Sequence, residues 1–320
     1  MKSRYRAVSS MTSCGAASRE RRPKTGMERM PGMNRGIDHL VLDVEDLDQT
    51  RDAYAALGFT TTPRATHPFG TANSLVQLQG NFLELLTIDD TSKITPAASG
   101  QFSFGMFNQS FLARREGMSM LVFEGHGADQ DQAEFAAKGI ETYDVFNFER
   151  NATLPDGEIV TVAFSLAFAT DPSMPEAAFF TCQQHAPEYF WKPEFQKHAN
   201  GASAVTEVVM IADDPSSLTE FFGALQGVDA VSAETDALQV GTARGTVSVL
   251  TPDRFAARYG VQSFGPGSPH FAAFRVAVGD LDHTESLLSD NGVAFRRTDE
   301  TIQISAETAF GVILEFAPED

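Results

Sequence analysis

Cysteine is nearly absent. Cys14 and Cys182 are the only two in 320 residues, far apart and without a C-x-x-C pair; this excludes a disulfide framework or a cysteine zinc site and fits a reducing cytoplasm. Long apolar runs are missing too. None approaches the ~18 residues that a membrane-spanning helix needs, so a soluble protein without a membrane partner is expected. The chain has no G-x-x-x-x-G-K-[ST], no G-x-S-x-G and no G-x-G-x-x-G opening a helix, and nucleotide-dependent and serine-hydrolase chemistries fall away. Basic residues are few: 24 Lys and Arg against 43 Asp and Glu give a net charge of -19. Phosphate contacts dominate nucleic-acid binding, so that partner class is excluded as well. Small molecules and proteins remain, a second copy of this chain in a homodimer among them.

The scarce basic residues are unevenly placed. Residues 1–36 hold nine Lys or Arg and only Glu20 and Glu28 as acids, which leaves 15 basic and 41 acidic residues in a body near -26. The leader lacks both the apolar core of a secretory signal and hydrophobic periodicity. Residues 1–35 read as a disordered basic extension, suggestive of organelle targeting or of an over-extended start, with Met27, Met30 and Met33 as later starts. Beyond it, 42% hydrophobic residues and 26 Phe can fill a large core, and the length suits two domains.

The segment GIDHLVLDVEDLDQTRDAYAALGFTTTP, Gly36 to Pro63, reads as a strand followed by a helix. Asp46 with Gln49 three residues on resembles a capping box, Leu47, Tyr54 and Leu57 share one helical face, and Gly58 suits a left-handed end. SLVQLQ and NFLELLTI follow as strands joined by a tight turn at Gly80-Asn81. This βαβββ pattern recurs over residues 118–184, 205–250 and 271–317, and an internal repeat fixes the architecture. The fold class is α+β, with four modules paired into two domains at 36–185 and 204–320. Between them, the stretch HAPEYFWKPEFQKHANGA marks a linker strap, set at 186–203, whose Phe190, Trp191 and Phe195 pack on a domain surface; the other reading makes them a wall of the pocket.

His39 is out of place among apolar neighbours. Period-two alternation puts Leu40, Leu42 and Val44 under the helix and leaves His39 with Ile37, Val41 and Asp43 on the opposite face. IDHLVLDVEDLD, HPFGTANSLVQL and NFLELL resemble the glyoxalase-like branch of the vicinal oxygen chelate superfamily, which includes glyoxalase I, extradiol dioxygenases, bleomycin-resistance proteins and methylmalonyl-CoA epimerase. The resemblance covers residues 36–317 at the level of module pattern. It implies curved, cup-shaped mixed sheets with metal ligands on the first and last strands of each module. Carried over, His39 and Glu84 fall on those slots in the first module. Imidazole nitrogen with carboxylate oxygen suits a divalent ion such as Zn, Ni, Fe(II) or Mn.

The other modules depart from the pattern. Met120, Glu207 and Ala273 stand in the histidine slot; the last-strand slot holds Cys182 or Gln183 in the second module, no acid in the third and Glu315 in the fourth. The C-terminal pair therefore reads as a degenerate, mainly structural half, with His270 as a loop histidine. In the N-terminal pair a third donor is required, and Gln183, His185, His198 and His67 are the candidates. Asn73, Thr71 and Trp191 are candidate pocket residues. The resemblance implies a metal-dependent enzyme acting on a small oxygenated molecule, a lyase or isomerase of glyoxalase type. The alternatives are a ring-cleaving dioxygenase, which needs a second histidine, and a binding protein without chemistry. Glu84 is the catalytic base in this reading; Asp43 could serve too, but reads more simply as a solvated strand residue.

Overall fold

The computed structural model describes residues 34–153, 159–262 and 264–319. The first module runs β1 (Ile37–Asp43), α1 (Leu47–Ala56), β2 (Ala65–Thr66), β3 (Thr71–Gln77) and β4 (Phe82–Ile88). α2 (Phe104–Leu112) leads to the second: β5 (Gly117–Glu124), α3 (Ala128–Ala137), β6 (Glu141–Thr142), β7 (Phe146–Thr153), β8 (Ile159–Thr170) and β9 (Ala178–Gln184). The strap holds α4 (Pro187–Phe190) and a short 3-10 turn, Pro193–Gln196. The third module is β10 (Ala202–Ile211), α5 (Thr219–Gln226), β11 (Val231–Ala233), β12 (Ala237–Gly241) and β13 (Thr246–Leu250). After α6 (Pro252–Tyr259), the fourth is β14 (His270–Val278), α7 (Leu281–Asp290), β15 (Arg296–Arg297), β16 (Ile302–Ile304) and β17 (Ile313–Pro318).

Each pair of modules forms one mixed sheet. The first has the order β2-β3-β4-β1-β5-β9-β8-β6, with β7 also on β8, and the second β11-β12-β13-β10-β14-β17-β16-β15. In both, the first strands of the two modules meet antiparallel at the centre, and each is parallel to its own module's last strand. Local chemistry sets the pieces as expected. Asp46 accepts from the backbone N–H groups of Asp48 and Gln49 to start α1, and Gly58, at φ +90, ends that turn where an added Cβ would meet Asn200 at 2.8 Å.

One apolar core joins the halves. Leu40 and Leu42 of β1, Tyr54 of α1, Phe135 of α3, Phe222 of α5, Leu288 of α7 and Phe274 of β14 belong to a single buried cluster. Two smaller clusters lie on the other faces of the sheets, one inside each cup. Helices and sheets bury their apolar faces against each other, so the opposite sheet faces are free to line sites.

Four expectations are corrected. Residues 1–33 lie outside the described residues, but Arg35, assigned to the disordered extension, is 2% exposed; its guanidinium pairs with Asp131 and Glu134 at 2.9 Å each. Ile37 belongs to the helix-side core rather than to the face of His39, because a bulge between Ile37 and His39 shifts the register against β5. Asp43 is not solvated; it is fully buried, and among the described residues no hydrogen bond reaches either carboxyl oxygen. The predicted strand TYDVFNFE is two, β6 and β7, paired along one β8.

Candidate functional site

β1 and β4 carry the core of the N-terminal cup. Their parallel register sets His39 opposite Phe82 and Val41 opposite Glu84, so the two polar side chains rise on the same face, one step apart. The His39 ring stacks on Phe82, with centroids 4.2 Å apart, and meets the edge of Phe180. Its Nδ1 lies 2.6 Å from Asp38 Oδ1. A carboxylate only accepts, so Nδ1 carries the hydrogen and Nε2 faces Glu84 Oε2 at 3.7 Å.

The other Glu84 oxygen is held from β3. Asn73 Nδ2 donates to Glu84 Oε1 at 2.6 Å and lies 3.3 Å from His67 Nε2. His67, stacked on Phe69, has its Nδ1 2.8 Å from Thr71 Oγ1. Burial lowers the His67 pKa to about 4, against a smaller opposing effect of Glu84, so this ring is neutral at physiological pH. Phe69, Phe82, Phe104, Phe148, Phe164 and Phe180 wall a cavity of about 50 Å³ around His39, His67, Asn73 and Glu84, with Phe190 of the strap and Arg150 of β7 at its border.

Not every candidate reaches this cavity. Gln183 accepts from the Ala128 N–H at the start of α3, on the other side of the sheet. His185 is exposed and bonds Ser165. His198 accepts the Thr60 N–H at Nδ1 and donates from Nε2 to the Gln77 carbonyl, tying the strap to the sheet. Thr71 stands behind His67, and Trp191 packs against Phe82 and Phe190 from outside the lining. Asp43 also stays out of the cavity, and burial pushes its carboxyl well above the usual range.

The second module gives no polar slot. Pairing of β5 with β9 sets Met120 opposite Ala178 and Val122 opposite Phe180. The position equivalent to Glu84 is therefore Phe180, not Cys182 or Gln183. Cys182 does line the cavity, but burial pushes its thiol pKa well up, with Asp38 and Glu84 adding to the rise. Arg150, α2 and the role of Asn73 on Glu84 went unread in the sequence. Phe146, Phe148 and Arg150 alternate along β7, and Ser103 caps α2 by accepting the Met106 N–H, so both signals are present.

The C-terminal cup is filled differently. Its slots hold Glu207 and Ser248, then Ala273 and Glu315. Arg258 of α6 donates to both Glu207 oxygens, at 2.8 and 2.6 Å, and to Glu315 at 2.9 Å. Arg275 donates to Glu315 at 2.7 Å. Burial raises both carboxyl pKa values, yet the guanidinium groups outweigh it and hold both below the usual range. His270 is tied to the Ser268 and Phe264 carbonyls.

Two cup-shaped sheets built from four βαβββ-type modules, the first with His39 and Glu84 on its central strands, define a vicinal oxygen chelate fold. Residues 37–225, more than half of the chain, match the family model described as "Glyoxalase-like domain", and the chain belongs to that family. Similar solved structures include a hypothetical protein from Staphylococcus aureus (12% identity, TM-score 0.60, 89% of this chain and 99% of that one). A triple mutant of 4-hydroxymandelate synthase from Streptomyces coelicolor superposes with TM-score 0.54 at 12% identity, over 90% and 93% of the two chains. The Mn(II)-bound glyoxalase from Novosphingobium aromaticivorans gives 0.52 at 11% identity, over 90% and 83%. At such identities the likeness is one of fold. No curated protein matches the sequence.

The fold implies a divalent ion, and the donors can be tested for one. Among the described residues, no three His, Cys, Asp or Glu side chains are grouped to hold a metal. His67 Nε2 and Glu84 Oε1 are both engaged by the Asn73 amide, which leaves His39 Nε2 and Glu84 Oε2 as open donors. Two donors fall short of the three that a catalytic site supplies. As arranged, the residues do not fit a protein-held ion.

Proposed function

We propose that the N-terminal cup is the active site of a glyoxalase-type lyase or isomerase that moves a proton at a carbon beside a carbonyl group of a small oxygenated molecule. One observation carries this reading: the Glu84 carboxylate has one oxygen fixed by Asn73 and the other turned to the phenylalanine-lined cavity beside His39. A general base works when its basic atom is aimed and its surroundings are dry. Asn73 supplies the aim, and the phenyl walls exclude water. With Oε2 against the substrate C–H, Glu84 takes the proton and charge moves onto the carbonyl oxygen. Glu84 then returns the proton to the same carbon or, where that carbon bears a hydroxyl group, to the former carbonyl carbon while the hydroxyl proton passes to the other oxygen. His39, fixed by Asp38, presents an unprotonated Nε2 at the same spot, where it can accept the proton from Glu84; only the imidazolium so formed donates to the developing oxygen charge.

The test is hydrogen exchange. The protein is incubated in D2O with small 2-oxo and 2-hydroxy carbonyl compounds, and loss of C–H signals is followed by proton NMR before and after chelation. Exchange on at least one class is expected, unaffected by chelation and lowered roughly 10²–10⁴-fold by Glu84→Gln. Exchange that vanishes on chelation and returns with Mn(II) would replace this mechanism by one in which His39, His67 and Glu84 hold an ion after Asn73 moves. Oxygen uptake on catechols with Fe(II) would move the reading to ring cleavage. Compounds that bind without exchange would leave a binding cup.

A further inference from the structure

Arg150 is not used by the proton transfer above. Every other described arginine has an ion pair or a hydrogen bond. Arg150 has neither among the described residues, although it is half-buried on β7. A guanidinium does not shed its proton, so withdrawing one from water without a partner is costly. Glu84 acts on it through space, but the two are not in contact.

Its position has a use. Arg150, Asn73, Leu75 and Phe190 border both the inner cavity and a second, outer one of about 630 Å³. Arg64 and Lys192 also line the outer cavity, and among the described residues no Asp or Glu does. In a body near -26 that is a local reversal of sign. Arg64 is already paired with Asp89 at 2.5 Å and Lys192 lines only the outer cavity, which leaves Arg150 as the cation at the passage between the two. The inner space holds only a few atoms and is largely apolar, whereas the outer one is roomy and basic.

We propose that Arg150 binds an oxyanion, and that the cup takes a small carbonyl compound bearing a carboxylate or phosphate, its uncharged end inside and its anion on Arg150. The carbonyl rests on the proposed proton transfer; the anion rests on Arg150 alone. The planar fork of the guanidinium matches either oxyanion through two parallel hydrogen bonds.

Binding and chemistry are read separately. Affinities of 2-oxobutyrate and its neutral amide, and of hydroxyacetone phosphate and hydroxyacetone, are measured by calorimetry and by fluorescence of Trp191, the only tryptophan, which packs on Phe190. In the native protein at least one anion is expected to bind at least about tenfold more tightly than its neutral counterpart; which pair shows the preference tells carboxylate from phosphate. Arg150→Gln removes the preference, Arg150→Lys keeps part of it as a point charge, and Arg64→Gln leaves it. Glu84→Gln also leaves it, so loss of exchange with retained anion preference overturns neither Arg150 nor its role. No preference for either anion in the native protein, or a preference that survives Arg150→Gln, overturns the proposal.

Discussion

The two cups start from one module pattern and end in opposite states. In the C-terminal cup, the carboxylates in the slots, Glu207 and Glu315, are consumed by Arg258 and Arg275. In the N-terminal cup Glu84 keeps one oxygen open, and the nearby cation, Arg150, stands apart from it. The helices before the second modules account for part of this. α6 is capped by Thr251, α2 by Ser103; at the distance from the cap where α6 has Arg258, α2 has the short Ser110, which cannot reach across a cup. One arginine on a connecting helix thus turns a site into a strut. Saturated carboxylates hold structure, and a carboxylate with a free oxygen facing a dry cavity can do chemistry.

The largest effects should come from the same substitution made in both cups. Glu84→Gln is expected to cut proton exchange roughly 10²–10⁴-fold, with unfolding by urea little changed, since the amide still accepts from Asn73. Glu315→Gln should do the reverse. It leaves Arg258 and Arg275 sharing Glu207, and breaking a buried pair costs about 3–5 kcal/mol. A value nearer about 3 is expected because both arginines are partly exposed. The exchange rate should not change. A loss of exchange in Glu315→Gln with stability intact would mean that the C-terminal cup is a site after all.

Asn73 tests how the open oxygen is aimed. Asn73→Ala removes a hydrogen bond to a charged group, worth about 1.5–3 kcal/mol, which corresponds to roughly 10–100-fold in kcat if it is realised in the transition state. Since Asn73 positions the base, the loss should fall on kcat more than on KM. Asn73→Ala also frees His67 Nε2, and a gain in Mn(II) binding by calorimetry would support the view that this amide is what keeps an ion out.

Legibility followed the range of the interaction. His39 stands out in the sequence because strand alternation is a local operation, Glu84 is reached through the family resemblance, and the structure brings the two to 3.7 Å within one module. The capped start of α1 is legible for the same local reason, and so is the hairpin turn, although the Leu78 N–H bonds the Asn81 carbonyl and centres it on Gln79-Gly80 rather than Gly80-Asn81. The engagement of Glu84 by Asn73 depends on the register between β3 and β4, where Asn73 lies opposite Leu86, and no local pattern fixes it. The last-strand slot of the second module reads as Cys182 or Gln183 and is Phe180, because the parallel register of β5 with β9 sets Val122 opposite Phe180, and no local pattern fixes that register. Asp43 looked solvated because alternation gives a face but not what covers it; Phe104 and Asn108 on the unread α2 are buried there, the latter bonded to Ser119 of β5. The cation filling of the second cup was hidden because Arg258 meets Glu207 across 51 residues of sequence.

Acid separates the cups less sharply. Glu207 and Glu315 have pKa values held below those of the unfolded chain, so the unfolded state takes up protons first as pH falls. Their contribution to stability is complete above the ordinary glutamate value of about 4.3 and is lost as pH drops through the depressed folded values. Urea midpoints measured at neutral pH and near the ordinary glutamate value and below should fall together more steeply in the native protein than in Glu315→Gln. Equal slopes would mean that the arginine cluster does not couple to folding.

The smallest effect is the sharpest check on which histidines matter. His185 is chemically the same donor as His39, lies just past the last strand of the same half, and is exposed with its ring bonded to Ser165. His185→Gln keeps a polar side chain that can still bond Ser165, so stability should stay within about 0.5 kcal/mol, as for other surface changes, and exchange should be unaltered. His39→Gln removes the ring that stacks on Phe82 and faces Glu84, and should lower exchange while leaving the anion preference of Arg150 in place. Side-by-side rates for the two variants decide the matter: equal losses would mean that the exposed ring reaches the cup in solution, and that the open oxygen of Glu84 has a second imidazole to work with.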